Sequence, residues 1–404
     1  MNPRMNTSEI EIPLLVLWQK SNIETAYFEQ QYAFKFCKKY LQDSLQKQGI
    51  LFNWTHVDFT GSILPHHKDA KYVLVINDPL ITINGTIVKR MMKVISMGFS
   101  ACGVQLNISN NEIQLASPFF QVVNSTSFEE LNKMYQDQGE ETIEETPTLD
   151  PACILYDGKY FLQHGEKPPS VSASGCIVPM AGYRFAVLRN SFIFTFKSAY
   201  GDERNDLVAL IPSGIKSILD VGCFYGGLGK TLKKFRPETD ADGIELSEYY
   251  AAKATPYYRK IYNCTLEEFQ NEKQYDVVVC GDFLEHLFDP WKQLHRIHDF
   301  LNTGGSLITS IPNSGHWSIV HDLLHGKFEY LPWGITCITH IRWFTGSSIR
   351  KALEESGFRI EKFEKQQIEP SPGGKDFINK MSELGFGDEQ SLLTNEFTIR
   401  AVKQ

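Results

Sequence analysis

Two glycines and an acid follow strand-like runs in the C-terminal half of the chain. The run "SILDV" contains Asp220. Gly222 and Gly226 lie in the turn between this run and a segment with a helical pattern. Neither glycine has a Cβ, so the backbone N–H groups of this turn can approach a ligand at a helix start. The next strand-like run, "ADGIEL", contains Glu245, whose carboxylate can accept the hydroxyls of a ribose. The spacing therefore predicts a nucleoside site.

The turn does not match the dinucleotide-binding pattern. G-x-G-x-x-G requires glycine where Phe224 stands, and a short-chain dehydrogenase would need glycine in place of Leu228. Tyr249 and Lys253 have the Tyr-x-x-x-Lys spacing of such dehydrogenases, but they follow the second strand-like run directly, which is too early. These differences count against a nicotinamide cofactor.

Alternating strand-like and helix-like runs must position these residues. The C-terminal half contains the strand-like runs "SILDV", "ADGIEL", "YDVVVCG", "GSLITSI", "FRIEKFEKQ" and "NEFTIRAVK", separated by helical text that begins near Gly226, Ser247, Asp289 and Gly346. Ligands of open α/β sheets bind at the carboxyl ends of the strands. We therefore predict an α/β fold whose site lies at that edge.

The first half shows the same alternation and predicts a second α/β unit. Its strand-like runs include "PLLVLW", "KYVLVIND" and "FSACGVQL", and short strands are expected in "CILYDGKYFLQHG" and "GCIVPMAGYRFAVLR". The acidic stretch "QDQGEETIEETPTLDPA" indicates an exposed loop or linker. We place the domain boundary near residue 200, giving domains over 1–199 and 200–404.

Composition indicates which partners are excluded and in which compartment the protein is expected. A formal net charge of -8 argues against a nucleic-acid-binding surface. The apolar run near the N-terminus is too short for a signal peptide or a membrane span, so we expect a cytoplasmic protein without a membrane span. The eight cysteines are scattered singly, which favours reduced thiols over disulfides or a zinc finger.

Five ordered segments between Ile218 and Thr345 resemble class I S-adenosylmethionine-dependent methyltransferases that act on small molecules and sugars. "LDVGCFYGGLG" is similar to the first motif of that family, "GIEL" to the second and "YDVVVCGDFLEHLFDPWKQL" to the fourth-strand motif. "GSLITSIPN" matches the fifth strand, and "THIRWFT" the late His-x-Arg signature. The resemblance implies a Rossmann-like seven-stranded sheet and S-adenosylmethionine as cofactor.

The resemblance also assigns site residues. The residues that it places around the cofactor are Asp220, Gly222, Cys223 and Gly226 on the methionine side, Glu245 at the ribose, Leu246, Thr265 and Leu266 at the adenine, and Gly281, Asp282 and Phe283 at the sulfonium end. On the acceptor side it places Arg342 and Trp343. Arg342 alternatively pairs with Glu285 or Asp289.

Three positions depart from the family pattern. Phe224 replaces a glycine, Thr265 replaces the usual acid, and Cys337 stands where relatives often carry Asp. Phe224 is tolerable if its φ is negative and its ring points away from the pocket. We therefore expect cofactor binding to persist.

Methyl transfer to a hydroxyl requires alignment of the acceptor and removal of its proton. His286, just after the fourth strand, is the first candidate for the base, with His316 and His340 as competitors, and each has a structural alternative. None has a second ligand at helix-face spacing, so we expect no metal. The aromatic segment "HWSIVHDLLHGKFEYLPWG" is either a lid or a helix packed on the sheet edge, and "IPNSG" lacks the aromatic clamp of base-flipping enzymes.

The first half resembles, over about Ile12 to Phe196, the inverting nucleotide-sugar glycosyltransferases of the two-layer type. Its Asn77-Asp78-Pro79 is not an acid-x-acid metal triplet, so we expect a degenerate glycosyltransferase A-like domain that transfers no sugar. It would serve as an acceptor-binding or dimerising module. The predicted function is O-methylation of a sugar or sugar-derived metabolite; the alternative is a non-catalytic glycan or nucleotide-sugar binding protein with a decayed methyltransferase half.

Overall fold

The structure is a computed structural model that forms two compact units, one from the described residues up to Phe196 and one from Glu203 onward. The described residues are 14–19, 28–57, 70–78, 80–107, 109, 111–116, 130, 133, 142–164, 171–196, 203–270 and 273–404. None of the helices in these ranges combines the length and the apolar character of a membrane span.

The N-terminal unit has a mixed eight-stranded sheet. Its strands are β1 Leu14–Gln19, β2 Phe52–Val57, β3 Tyr72–Ile76, β4 Ile81–Thr82, β5 Ala101–Leu106, β6 Ile143–Thr146, β7 Cys153–Asp157 and β8 Phe185–Thr195. They lie in the order β2-β1-β3-β7-β5-β8-β4, and β6 also pairs with β8. The helices are α1 Phe28–Lys47, α2 Gly85–Ser96 and α3 Gly158–His164. β1 is parallel to β2 and β3, whereas β7 is antiparallel to β3 and β5.

Two expectations for this unit are wrong. The described part of the acidic stretch contains strand β6, which pairs antiparallel with β8, and there Glu145 lies 2.7 Å from Arg184 and Glu144 3.5 Å from Arg189. The text after Asp157 is helix α3 rather than a strand, because the Asp157 carboxylate accepts a hydrogen bond from the Tyr160 N–H and caps the helix (3.0 Å).

The C-terminal unit has a seven-stranded sheet in the order β11-β10-β9-β12-β13-β15-β14. Its strands are β9 Ser217–Val221, β10 Asp240–Ile244, β11 Lys260–Tyr262, β12 Tyr275–Gly281, β13 Leu301–Pro312, β14 Phe358–Gln367 and β15 Thr394–Lys403. β9 to β13 are parallel, and β15 is antiparallel to β13 and β14. This order confirms the expected α/β fold.

Helices connect these strands. They are α4 Asn205–Leu210, α5 Gly227–Phe235, α6 Glu248–Ala254, α7 Pro290–Phe300, α8 Trp317–Leu324, α9 Gly346–Glu355, α10 Pro372–Glu383 and α11 Glu389–Leu393, with short 3₁₀ turns at Thr255–Tyr257 and Leu284–His286. Strand β9 is buried on both faces, with Leu219 in one core and Ile218 in another. Of the aromatic segment, α8 is a helix whose Trp317 packs with Ile378 of α10.

The turn after β9 departs from one expectation. Phe224 has a φ of +46°, not a negative one. Left-handed backbone costs an L-residue roughly 1–2 kcal/mol. Packing offsets this cost, because the Phe224 ring lies 4.1 Å from the ring of buried Tyr250 and 4.4 Å from that of Tyr225.

Helix α5 begins against a buried tyrosine. The Tyr258 hydroxyl accepts a hydrogen bond from the Gly229 N–H (2.9 Å) and donates one to the Asp220 carboxylate. A Cβ on Gly229 would lie 2.6 Å from the Tyr258 ring, so only glycine fits there. Burial raises the pKa of Asp220 to about 7, although the bond from Tyr258 acts in the opposite direction. Asp220 therefore anchors the start of α5.

The strain at Phe224 predicts that a glycine variant is more stable than an alanine variant at this position, the reverse of the usual order. Both Phe224→Ala and Phe224→Gly remove the ring, but only glycine removes the left-handed penalty. We expect Phe224→Gly to unfold with a free energy about 1 kcal/mol higher than Phe224→Ala in urea titrations. At exposed Lys351 in α9, alanine should instead be more stable than glycine by about 1 kcal/mol. An alanine variant of Phe224 as stable as the glycine variant would contradict the strain.

The raised pKa of Asp220 predicts a stability that falls as pH rises. Between its ordinary value of 3.8 and about 7, the folded state keeps a proton that the unfolded state releases. Its contribution is therefore complete below about pH 4 and lost as pH rises to about 7. We expect the difference in unfolding free energy between wild type and Asp220→Asn to shrink by about 4 kcal/mol across this window. Exposed Asp299→Asn should keep the wild-type slope; an Asp220→Asn protein that also kept it would contradict the assignment.

Candidate cofactor and acceptor site

The expected site residues meet at one edge of the C-terminal sheet. In the parallel register, Asp220 of β9 lies beside Gly243 of β10 and Val279 of β12. The residues that follow these strands, Gly222, Glu245 and Asp282, therefore come from neighbouring strand ends. This is the edge where open α/β sheets bind ligands.

Glu245 is buried, and its carboxylate joins two backbone segments. One oxygen accepts a hydrogen bond from the Phe224 N–H (2.9 Å) and the other from the Ser247 N–H (2.8 Å). Asn263 also donates its side-chain N–H to the Glu245 carbonyl (2.8 Å). A carboxylate oxygen can accept more than one hydrogen bond, so a ribose can be held by the same group. The turn and the predicted ribose acid thus form one structural unit.

Two glycines keep the turn close to its neighbours. Gly222 has a φ of +75°, and a Cβ there would lie 2.8 Å from the Phe283 ring. Gly226 has a φ of +87° and caps α5, where a Cβ would lie 2.9 Å from the Tyr257 ring. The structure thus places Gly222 against Phe283, and Cys223 lies buried beside Gly243.

The residues expected at the adenine differ in exposure. Leu246 is 60% exposed, so its side chain is accessible to a ligand. Thr265 donates its hydroxyl to Glu268 (3.0 Å), an acid that the sequence analysis did not single out. Leu266 packs in the hydrophobic core, so an adenine cannot rest on its side chain without repacking.

Asp282 is neutralised by an arginine that sequence analysis missed. The Arg204 guanidinium donates to the Asp282 carboxylate (2.8 Å) and to the Ser310 hydroxyl (2.9 Å), and Ser310 in turn donates to Asp282 (2.9 Å). Partial desolvation opposes ionisation of this half-exposed side chain, but Arg204 and then Ser310 lower the pKa of Asp282 overall. Asp282 also has a φ of +48°. The sequence around Arg204, "GDERND", contains several charged residues and gives no sign of a site residue. Its ion pair with Asp282 in the folded chain is what reveals its role.

Glu285, His286 and His340 form a cluster beside Asp282. One ligand-capable atom from each lies within 4.8 Å of the others, and the His286 and His340 ring centroids are 4.8 Å apart. Glu285 and His340 are buried, and His286 is half-buried. Burial, followed by repulsion from Asp282, raises the pKa of Glu285 well above its usual value. The sequence predicted both histidines but neither Glu285 nor their proximity.

His316 plays a different local role. It caps α8, where its Nδ1 accepts a hydrogen bond from the Ser318 N–H, and it is almost fully buried. Burial lowers the pKa of His316 to about 3, far below the neutral range in which an imidazole is an effective base.

Arg342 pairs with neither of the acids expected as alternative partners. Its guanidinium donates to the Phe288 and Ile341 carbonyls and lies 5.2 Å from the Phe288 ring centroid. Trp343 is half-buried, with its ring 5.3 Å from that of Phe328. Both residues belong to the segment that carries His340.

In the N-terminal unit, Asp78 is bound within its own fold. Its carboxylate accepts hydrogen bonds from the Thr195 hydroxyl (2.5 Å) and the Leu80 N–H (3.0 Å), and it is buried. Pro79 lies outside the described residues. Asp78 thus acts as a turn-stabilising residue.

Comparison with known proteins identifies the C-terminal region. Residues 189–362 match a family described as methyltransferase domain. The ubiquinone biosynthesis O-methyltransferase of Alkalilimnicola ehrlichii is 30% identical over 146 residues, covering 32% of this chain and 57% of that protein. Its Coxiella burnetii counterpart is 26% identical over 156 residues, covering 36% and 64%. The chain thus spans about three fifths of the length of these relatives.

Solved structures with similarity cover about half of the chain. An S-adenosylmethionine-dependent methyltransferase from Mesorhizobium loti is 18% identical with a TM-score of 0.34, covering 49% of this chain and 96% of that one. One from Archaeoglobus fulgidus is 18% identical with a TM-score of 0.36, covering 49% and 91%. The match to the methyltransferase domain family covers the segments from Ile218 to Thr345 in which the sequence analysis expected such a domain.

Proposed function

We propose that this protein transfers the methyl group of S-adenosylmethionine to a hydroxyl oxygen of a small molecule. One observation carries the proposal: the Glu245 carboxylate is hydrogen-bonded to the glycine turn at the same sheet edge as Asp282 and the neighbouring cluster of Glu285, His286 and His340. A nucleoside-binding acid and acid–base side chains thus share one edge.

The residues at this edge would divide the work. Glu245 would hold the ribose hydroxyls, and the backbone at Gly222 would approach the methionine part of the cofactor. Arg204 keeps Asp282 ionised, so that a negative charge lies at the end where the sulfonium is expected. Methyl transfer is an in-line displacement, so alignment and exclusion of water would supply most of the rate.

His286 is our choice for the group that handles the acceptor's proton. It is half-buried, whereas burial lowers the pKa of His316 to about 3 and, with help from His286, that of His340 to about 4. A base with so low a pKa takes up a proton poorly at neutral pH. His286 also follows the strand that leads to Asp282, which keeps it near the expected sulfonium.

The oxygen acceptor is favoured by the two relatives, which are both named for O-methylation. A saccharide acceptor and a cytoplasmic pathway of glycan or secondary metabolism remain proposals, as does a degenerate glycosyltransferase A-like unit over 1–199 that binds acceptor or dimerises. Asp78 supports the absence of sugar transfer, since its carboxylate is occupied by Thr195 and Leu80. A non-catalytic binding protein is the second candidate, favoured by the strained Phe224.

Loss of the ribose acid should weaken cofactor binding. Glu245→Gln replaces charge-assisted hydrogen bonds, each worth roughly 1.5–3 kcal/mol, by neutral ones. We expect the affinity for S-adenosylhomocysteine, measured by calorimetry, to fall at least about tenfold, with circular dichroism unchanged. Exposed Glu248→Gln, on the adjoining helix, should bind as wild type. Equal affinity of wild type and Glu245→Gln would contradict the assignment.

Removal of the proposed proton-handling group should reduce turnover. A general base contributes typically about 10²–10⁴-fold, so we expect His286→Ala to lower methyl transfer by that factor while binding S-adenosylhomocysteine normally. Transfer from labelled S-adenosylmethionine to a panel of phenols and saccharides would provide the assay. Exposed His295→Ala is the matched control. Normal turnover in His286→Ala, with loss in His316→Ala, would move the role to His316.

A further inference from the structure

We propose that Glu285, His286 and His340 bind a divalent transition-metal ion. Their ligand-capable atoms lie within 4.8 Å of one another, and His340 Nε2 is 3.9 Å from Glu285 Oε1. Ligands bonded at about 2.1 Å to one ion lie about 3–3.5 Å apart. Small side-chain rotations therefore suffice to close the cluster around an ion. This proposal replaces the expectation of no metal.

Glu285 supplies an independent indication of a cation site. Its side chain is 2% exposed, and neither carboxylate oxygen has a hydrogen-bond partner among the described residues. A buried carboxylate is costly unless it is paired, hydrogen-bonded or bound to a metal. The nearby Asp282 has Arg204 and Ser310 as partners, whereas the Glu285 oxygens face the two imidazoles.

The surroundings of His340 prepare it as a ligand. Its Nδ1 lies 2.8 Å from the Ile335 carbonyl, which can only accept, so Nδ1 carries the proton and Nε2 keeps its lone pair toward Glu285. A hydrogen bond of this kind typically orients metal-binding histidines. The Ile341 and Arg342 N–H groups both donate to the Glu285 carbonyl (3.0 Å each), which fixes the two segments together.

The ligand set selects the type of ion. Two imidazoles and one carboxylate suit Zn²⁺ and related first-row ions, whereas Mg²⁺ and Ca²⁺ prefer sets of oxygen ligands. Three protein ligands leave at least one coordination position for water or substrate, as in catalytic zinc sites. His286 is half-buried while the other two are buried, so a small molecule would enter on the His286 side.

The role of the ion rests on the proposed function, although its binding does not. A metal-bound acceptor hydroxyl loses its proton to water more readily, because the cation stabilises the resulting oxyanion. The oxygen then forms a bond to the methyl carbon, and the carbon–sulfur bond breaks with its electron pair left on sulfur. The products are the methyl ether, S-adenosylhomocysteine and the released proton. With the ion bound, His286 would be a ligand rather than the base, so its part in removing the acceptor's proton would be exerted through the ion.

Calorimetric titration of the chelator-treated full-length chain with ZnCl₂ tests the site. We expect one ion per chain for wild type and at least about 100-fold weaker binding for Glu285→Gln. His340→Gln, expected to behave in the same way, covers the case in which Glu285→Gln fails to fold. Co²⁺ absorption should change in both variants. His325→Ala, which removes a histidine from the separate His321–His325 pair, is the control and should retain the site.

Two results would overturn the proposal: no stoichiometric binding of Zn²⁺ by wild type, or binding by both Glu285→Gln and His340→Gln as tight as that of wild type. Titration with S-adenosylhomocysteine separates this question from the proposed function. Metal bound without any S-adenosylhomocysteine binding would leave the metal site standing and overturn the methyltransferase assignment. If the chain bound S-adenosylhomocysteine but no metal, the proposed function would stand and the metal site would be overturned.

Discussion

The carboxylate of Glu245 is the interaction on which the C-terminal site depends. By accepting the Phe224 and Ser247 N–H groups, it fixes the turn after β9 to the start of α6. That constraint holds Phe224 in left-handed backbone, which an L-residue adopts only when its surroundings enforce it. The ring of Phe224 then packs on Tyr250. A group that would bind the ribose therefore also shapes the turn that would receive the rest of the cofactor.

The acids at the same edge differ in whether another side chain pairs with them. Asp282 is held ionised by Arg204, and Asp220 shares a hydrogen bond with Tyr258. The Glu285 oxygens have no hydrogen-bond partner among the described residues, and His340 Nε2 lies 3.9 Å from one of them. Under the proposed function the cofactor is a cation and the acceptor a hydroxyl. The paired acids would then shape the pocket, and Glu285 would act on a ligand.

Local patterns predicted most of the C-terminal sheet because its parallel strands are continuous apolar runs between glycine turns and caps. Strand β6 was missed because the charges of Glu144 and Glu145 resembled a solvated loop, and only the fold supplies their arginine partners. The negative φ on which the tolerance of Phe224 was made conditional is not found, because the Glu245 carboxylate and the Tyr250 ring, both distant in sequence, hold the residue in left-handed backbone. Glu245 could be found from spacing alone, whereas Arg204 and the meeting of Glu285 with His340 depend on tertiary contacts between distant segments.

The most direct test of this account is a crystal structure of the protein with S-adenosylhomocysteine bound. The account predicts both ribose hydroxyls within hydrogen-bond distance of the Glu245 carboxylate, while that carboxylate still accepts the Phe224 and Ser247 N–H groups. It further predicts the sulfur between Asp282 and His286. A ribose held by other residues, or a sulfur remote from His286, would contradict it.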